Sequence, residues 1–152
     1  MEPREELRLL KAVVSDVCRV CNAVAQGDLS RRITLPVVEV VMVQLMNVVN
    51  DMAEKLDSVV HEVVHVIKEV NHGKLGIQAR VKDAQGSWKE LTDSVNVMTA
   101  SLTVQVRAIA AATSATARGQ PGPRQRITGV AAAGEMQDLL DSVDNAIVGL
   151  PQ

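Results

Sequence analysis

The sequence predicts an all-α protein of repeated helix–connector–helix units, and three features indicate this. Apolar residues make up 47% of the 152 residues, yet there is no Phe or Tyr and only one Trp. Aliphatic composition of this kind is typical of narrow helical seams, whereas ligand pockets usually depend on aromatic rings. Gly and Pro, which terminate helices, lie between four long uninterrupted segments, and the intervening motifs recur after 46 residues.

The segments without Gly or Pro predict helices at residues 4–26, 37–72, 87–118 and 135–148. The three segments between them predict extended connectors. The first connector begins with Gly27-Asp28-Leu29, and the second begins with a similar motif that contains Gly73 and Leu75. Gly27 is expected to end the first helix in the left-handed conformation, Asp28 to start the turn, and Leu29 to pack against the helices.

Apolar residues in the helices keep a heptad spacing of alternately four and three residues. The series is unbroken from Leu45 to Val70, which predicts that the second helix of one unit continues as the first helix of the next. Such a helix over residues 41–72 spans roughly 48 Å. The predicted dimer seam consists of Val17, Val24, Leu45, Val49, Met52, Leu56, Val59, Val63, Val66, Val70, Leu91, Val95, Met98 and Leu102.

Polar residues beside this seam also repeat. Asn50 and Asn96 occupy equivalent positions, and Asp144 takes that position in the third repeat. A polar residue here can fix the register of a bundle. A solvated flank of the helix explains the pattern equally well.

One unit of about 46 residues is too small to bury its own apolar stripe. The sequence therefore predicts a homodimer, in which two helices from each chain form a parallel four-helix coiled-coil bundle. A connector of roughly 13 residues is long enough to return along a short helix, which allows the parallel arrangement. An antiparallel hairpin would need a loop of only about 2–5 residues.

The charge pattern excludes several classes of function. The chain has 16 basic and 18 acidic residues without a basic run, so no nucleic-acid partner is expected. The charged first residues are unlike a secretory signal, and no apolar stretch approaches the ~20 residues of a membrane span. Two cysteines make no disulfide framework. We therefore expect a cytoplasmic protein with no membrane partner and no cofactor.

Residues 61–65 read His-Glu-Val-Val-His, which matches the pattern of zinc metalloproteases. That chemistry needs both imidazoles, Glu62 as base and a third ligand. Val63 belongs to the seam, so His61 and His65 are expected to face solvent. A zinc metalloprotein is therefore only a remote alternative, and no metal or catalytic residue is predicted.

Cys18 and Cys21 form a CxxC pair. A structural zinc site would need a second pair, and a redox pair would need an exposed helix start. The repeat matches these cysteines to Val64 and Ile67. We interpret them as small apolar packing residues, with redox sensing as the alternative.

Trp88 stands near the predicted start of the third helix and matches Met42 and Met136 in the repeat. We interpret it as an apolar plug where connector meets bundle, with ligand contact as the alternative. The connector and helix-start residues predicted to govern packing are Gly27, Asp28, Leu29, Ile33, Gly73, Leu75, Gly86, Trp88, Gly134 and Glu135.

Together, these motifs resemble the HAMP domain, in which a helix ending in Gly-Asp-Leu leads through a connector with spaced aliphatic residues into a second heptad helix. The ordered series is similar to the tandem HAMP region of fungal cytoplasmic (group III) hybrid histidine kinases. The matching segments are residues 7–11, 17–33, 40–45, 73–76, 86–93, 127–130 and 134–136. The resemblance covers residues 7–150 and implies a cytoplasmic osmotic-stress sensor acting on a phosphorelay, with its kinase domains downstream.

The resemblance divides the chain into HAMP units at residues 8–58, 54–104 and 100–152. Unit three departs from the family pattern: it has Gly119-Gln120-Pro121 in place of Gly-Asp-Leu, an extra Pro123 and a connector two residues longer. It is expected to be degenerate and truncated just past Leu150.

The heptad helices and the resemblance together thus predict a non-catalytic signal-relay module, and the resemblance implies that it belongs to a sensor histidine kinase. Its expected partners are a second copy of itself and the downstream kinase domains of the parent chain. The alternative is a static dimeric coiled-coil scaffold or adaptor, which would share the heptads but would not need glycine-initiated connectors.

Overall fold

The structure is a computed structural model that describes residues 2–37, 39–119, 127 and 129–149. These residues form four α-helices and no strand: α1 (Pro3–Ala25), α2 (Val40–Asn71), α3 (Gly86–Ala117) and α4 (Gly134–Val148). The all-α prediction is confirmed, and each predicted helix is present. The sequence predicted that α2 begins at residue 37, which is three residues before its observed start at Val40. Glu39 caps this helix instead, since its Oε2 accepts a hydrogen bond from the amide of Met42 at 3.0 Å.

The first two helices end in the same way. Gly27 and Gly73 follow them with φ of +88° and +84°, a conformation that favours glycine. At the end of α1 the amide of Asp28 donates to the carbonyl of Ala23 at 2.8 Å, and the equivalent bond at the end of α2 is 2.9 Å long. These are Schellman motifs, which satisfy carbonyls at the helix end and turn the chain sharply into the connector.

Both α2 and α3 contain 32 residues, so each spans roughly 48 Å. The predicted continuous helix from Leu45 to Val70 is therefore confirmed. The first part of α2 contributes to one buried core, and the second part contributes to another. The first core consists of Val13, Val20, Ile33, Met42, Met46 and Val49. The second core consists of Val66, Ala79 and Val95. Each core joins two successive helices and the connector between them.

The second connector runs against the direction of α3. The amide of Gly76 donates to Thr103 Oγ1 at 3.0 Å, and three residues later the amide of Ala79 donates to Asn96 Oδ1 at 2.7 Å. As the connector advances, its partners on α3 therefore move back toward the start of that helix.

The same connector also runs against α2. Lys74 Nζ lies 2.8 Å from Glu69 Oε2, and further along the connector the amide of Arg80 donates to Glu62 Oε2 at 3.0 Å. Because the connector is antiparallel to both helices that it joins, the second part of α2 and the first part of α3 run in the same direction.

Among the described helices, α3 is long and apolar enough to cross a membrane. Length and composition alone are weak evidence for a membrane span, because the core helix of a soluble protein can meet the same criterion. Its contacts with α2 and α4 place it within the helical array. The departures that the sequence identified at Gln120, Pro121 and Pro123, and the residue Leu150, lie outside the described residues.

Candidate functional site: the connectors and the exposed seam

An asparagine side chain holds each of the first two connectors against the helix that follows it. Asn50 Oδ1 accepts the amide of Ile33 at 2.8 Å, and its Nδ2 donates to the carbonyl of Ile33 at 3.0 Å. Asn96 makes the same two bonds with Ala79, at 2.7 and 3.0 Å. The carboxamide thus satisfies both backbone groups of a buried connector residue, as a neighbouring strand would. We call each such pair a connector bridge.

The third unit has an altered connector bridge. Asp144 Oδ1 accepts the amide of Ile127 at 2.7 Å. All three bridges join residues 17 positions apart in sequence. Asp144 is buried, with 6% of its surface exposed. The aspartate side chain has no amide N–H group, so Asp144 lacks the Nδ2 donor with which Asn50 and Asn96 bond to the connector carbonyl.

These bridges answer the question that the sequence left open about Asn50 and Asn96. The two side chains are half-buried and bonded to the connector, so a solvated flank is wrong. The heptad pattern could not reveal this role, because it describes helix neighbours and not a segment 17 residues away. A usable signal was present: the polar residue and its connector partner repeat with the same separation.

The connectors also contact the helix just beyond the seam of their own unit. Gly76 is bonded to Thr103, which directly follows the seam residue Leu102. At the equivalent position of unit one, Asp57 Oδ2 lies 3.9 Å from Arg32 Nη2. Positions 57 and 103 fall where consecutive predicted units overlap. Each of the first two connectors therefore contacts a helical segment where consecutive predicted units overlap.

Asp28 organises the start of the first connector. Its Oδ1 accepts the amide of Ser30 at 3.1 Å and the Ser30 hydroxyl at 2.5 Å, and its Oδ2 accepts Arg31 Nε at 3.2 Å. These bonds, chiefly those from Ser30, hold the pKa of Asp28 below its ordinary value. Leu29 and its equivalent Leu75 are half-buried beside this turn and its counterpart.

At the start of the second connector, a salt bridge takes the place of this turn network. The bond from Lys74 lowers the pKa of Glu69, and the charges of His65 and His72 add to the effect. Both Lys74 and Asp28 directly follow the glycine that ends a helix. The two connectors therefore fix the same turn with different chemistry.

The predicted seam residues fall into three groups in the single chain. Val49, Val59, Val66 and Val95 are buried. Val17, Val24, Leu56, Val63, Val70 and Leu102 are half-buried. Leu45, Met52, Leu91 and Met98 are 38%, 43%, 43% and 50% exposed. The exposed members are two equivalent pairs of the repeat, so the same positions of α2 and α3 leave a large apolar side chain uncovered.

The face that each helix buries within the chain overlaps the predicted seam only in part. It shares Val49 with the seam in α2 and Val95 in α3, and it also includes residues that the sequence did not single out as a core face: Met42, Met46 and Ala53 in α2, and Thr92 and Thr99 in α3. Together with the shared valine, Met42, Met46 and Ala53 keep a spacing of four, three and four residues, so two overlapping stripes carry the same heptad signal.

The start of α3 lies against α2 and borders a groove. Gly86 has φ of +57°, as does Gly134 at the start of α4, where Glu135 follows in the first turn. The side chain of Trp88 is 40% exposed. It lines an open groove of about 370 Å³ together with Lys55, Val59 and other residues of α2 and the second connector. In the single chain Trp88 is therefore only partly covered, and its role as an apolar plug of a bundle stays a prediction.

The histidines of the His-Glu-Val-Val-His motif do not belong to a metal-binding group within the described residues. His61 and His65 are exposed, as expected, and Glu62 bonds to the connector amide of Arg80. The described part of the chain contains no group of three side chains able to hold a metal ion.

Cys18 and Cys21 are both exposed free thiols, so their interpretation as packing residues is wrong for the single chain. The buried positions of α1 are Val13 and Val20. Each cysteine is displaced from that face, because one residue turns a helix by about 100°. Sequence reasoning missed this because apolar residues occupy both faces.

Comparison with protein-family models finds no family that matches this chain, and comparison with solved structures finds no matching fold.

Proposed function

We propose that this chain is a non-catalytic relay that passes a change of helix packing from one unit to the next. The observation that carries the proposal is that α2 is one continuous helix whose residues belong to two cores. Met46 and Val49 lie in the first core, and Val66 lies in the second. A rotation or tilt of α2 in the first unit must therefore move residues of the second, because a helix is stiff over this length.

The connectors supply a second coupling route. The first two connectors are each held to the following helix by a connector bridge, and each also contacts a predicted overlap position, residue 57 or 103. A change in the position of one connector against its helix therefore acts on the helical segment that begins the next unit.

In this proposal a second copy of the chain covers the exposed members of the seam. Leu45, Met52, Leu91 and Met98 present apolar surface along α2 and α3, and burying such surface contributes about 25 cal/mol per Å². A stripe that repeats with the units is what a parallel partner of the same sequence would match. The assembled form is then a series of parallel four-helix bundles.

The Val-rich faces suit such a relay because small β-branched side chains can pack in more than one rotation of the helix. A unit with two packings of similar free energy is a switch, which an input biases through differential contacts. In the resembled family, the input would be osmotic stress and the output the activity of kinase domains downstream, in the cytoplasm.

The test is to change the helical phase between units one and two in the parent kinase. Inserting two residues between Asp57 and Ser58 rotates the second unit by about 200° relative to the first. Inserting seven residues lengthens the helix but nearly preserves its phase. The relay predicts that the two-residue insertion abolishes the osmotic response and the seven-residue insertion retains it.

A static scaffold is the alternative that the long helices α2 and α3 also support. A scaffold holds its attached domains together without passing on a change of packing. It therefore predicts an unaltered osmotic response with both insertions, and that result would refute the relay.

A further inference from the structure

Two apolar stripes run side by side along α2, and each keeps a spacing of four and three residues apart from one gap of seven in the middle of the helix. Because one residue turns a helix by about 100°, the two stripes face different neighbours. We call them stripe A and stripe B. Stripe A consists of Met42, Met46, Val49, Ala53, Val60, Val64 and Ile67, and stripe B consists of Val41, Leu45, Val48, Met52, Val59, Val63, Val66 and Val70.

The stripe that the chain itself covers changes midway along α2. Up to Ala53, the residues of stripe A are at most 8% exposed, whereas those of stripe B are 38% to 67% exposed. From Val59 onward the order is reversed. Val59 and Val66 of stripe B are 1% and 0% exposed, whereas the residues of stripe A are 40% to 47% exposed. The first core therefore uses stripe A and the second core uses stripe B.

The same change occurs in α3. In its first part Thr99 is buried and Met98 beside it is 50% exposed. Seven residues further along, which is about two helical turns, Gln105 is buried and Val106 is 42% exposed. A change that recurs at the equivalent point of both long helices belongs to the repeat and not to one local contact.

The surface left uncovered is large enough to accommodate a second copy of the chain. The chain exposes 10682 Å², whereas a compact monomer of 16.3 kDa would expose about 7,500 Å². The difference of roughly 3,200 Å² is several times the ~800 Å² that each partner buries in a standard interface.

We propose that a second copy of this chain docks on stripe B in unit one and on stripe A in unit two, so that the two chains exchange sides between Ala53 and Val59. This surface rests on the proposed function, which requires a dimer, and it replaces the single straight seam that the sequence predicted. It adds to that function the faces on which the partner lies.

Each unit offers an apolar surface that matches the uncovered stripe. In unit one, Leu7, Leu10 and Val14 of α1 are 52%, 42% and 48% exposed. In a parallel dimer with two-fold symmetry, α1 of each copy then lies on stripe B of the other. In unit two, the exposed Leu91 and Met98 of α3 take the equivalent place on stripe A.

The experiment measures the alkylation rate of single cysteines by N-ethylmaleimide over a range of protein concentrations. The parent chain carries Cys18→Ser and Cys21→Ser, so that each added thiol is the only one. Val48→Cys probes stripe B in unit one, and Val64→Cys probes stripe A in unit two. Cysteine behaves as a small apolar residue, so both changes are conservative. Sedimentation equilibrium on each variant gives its dimeric fraction.

Both thiols should lose reactivity in proportion to the dimeric fraction. The control is Val97→Cys, because Val97 is 65% exposed, close to the 66% of Val48, but lies outside the corresponding stripes of α3. Its alkylation rate should not change with concentration. Val48→Lys and Val64→Lys should each shift the chain toward the monomer, since each places a charge in the interface, whereas Val97→Lys should not.

A dimer in which the Val48→Cys thiol is protected and the Val64→Cys thiol stays reactive would overturn the exchange of sides, while leaving the proposed dimer intact. A chain that is monomeric at every concentration would contradict both. Failure of the relay alone has a separate signature. The two insertions would leave the osmotic response unaltered, while protection of both thiols would still support the docking surface.

Discussion

The buried faces of α2 and α3 differ in chemistry, although the repeat makes the two helices counterparts. The buried residues of α2 are all apolar, whereas those of α3 include Thr92, Thr99, Thr103 and Gln105. Each threonine hydroxyl donates to a carbonyl of its own helix, at 2.7 to 3.0 Å. Thr92 and Thr99 are thus satisfied within α3, so they are buried at little cost but specify the packing weakly. Thr103 and Gln105 also bond to connectors, since Thr103 accepts the amide of Gly76 and Gln105 donates to the carbonyl of Ala131.

This difference predicts that parts of the chain differ in rigidity. Tightly packed apolar side chains define one arrangement, because loss of contact leaves a cavity. Thr92 and Thr99, whose hydroxyls bond only within α3, lose less when neighbouring helices shift. Unit one is therefore expected to be the rigid part of the array and α3 the more adaptable part.

The largest expected effect is on the first core. Met42→Ala should lower the free energy of unfolding by about 2–5 kcal/mol, because Met42 is 95% buried and truncation leaves a cavity. Urea unfolding at fixed protein concentration measures it. Val48→Ala on the same helix is the control, since Val48 is exposed and the change should stay within about 0.5 kcal/mol. A similar loss in both variants would contradict the account of the core.

The connector bridge should have the next largest effect. Asn96→Ala leaves the buried amide and carbonyl of Ala79 without their partner, which costs about 1–3 kcal/mol for a buried polar group left unpaired. Urea unfolding gives this cost, and hydrogen exchange at Ala79 locates it. If Ala79 stayed protected in the variant, the bridge would not be holding the connector.

Two threonines of α3 should respond to the same substitution with opposite signs. Thr103→Val removes the acceptor of the Gly76 amide and should destabilise the protein by about 1 kcal/mol. Thr99→Val removes a hydroxyl that bonds only within α3 and adds buried apolar surface, so it should stabilise by about 0.5 kcal/mol. Thermal unfolding of the two variants provides the comparison. Destabilisation by both would mean that the α3 face is as specifically packed as unit one.

The smallest effect is the acid sensitivity of the first connector turn. The pKa of Asp28 is lowered in the folded chain, so its contribution is fully present above the unfolded pKa, near pH 4, and is lost as pH falls through the folded pKa. The Ser30 amide resonance should therefore titrate below about pH 4. Asp28→Asn should abolish that titration. A Ser30 resonance that does not move between pH 5 and pH 2 would contradict this bonding.

The placement of Gly and Pro predicted the helices and the turns at Gly27 and Gly73, and the heptad spacing predicted the continuity of α2, because these features depend on local interactions. The heptad spacing did not distinguish the residues buried within the chain from the neighbouring seam residues. Met46 and Leu45 are adjacent and both apolar, yet the first is buried and the second exposed. Only the position of the neighbouring helix distinguishes them.

Helix periodicity could not predict the connector bridges, for a related reason. The side chain of Asn50 bonds to the backbone of Ile33. Almost every residue type carries these backbone groups, so the type of the partner residue gives no signal in the sequence. The repeat held the information indirectly, since Asn96 and Asp144 preserve the separation from their connector residues. The units, their boundaries and the resemblance to HAMP domains remain predictions.

The central claim is that a second copy completes the units, and sedimentation equilibrium over a tenfold or wider concentration range tests it most directly. The account predicts a particle of twice 16.3 kDa for the natural chain. Met52→Lys combined with Met98→Lys should shift it toward the monomer, because both exposed seam residues would place charges in the interface. A natural chain that remains a compact monomer at every concentration would contradict the shared four-helix core.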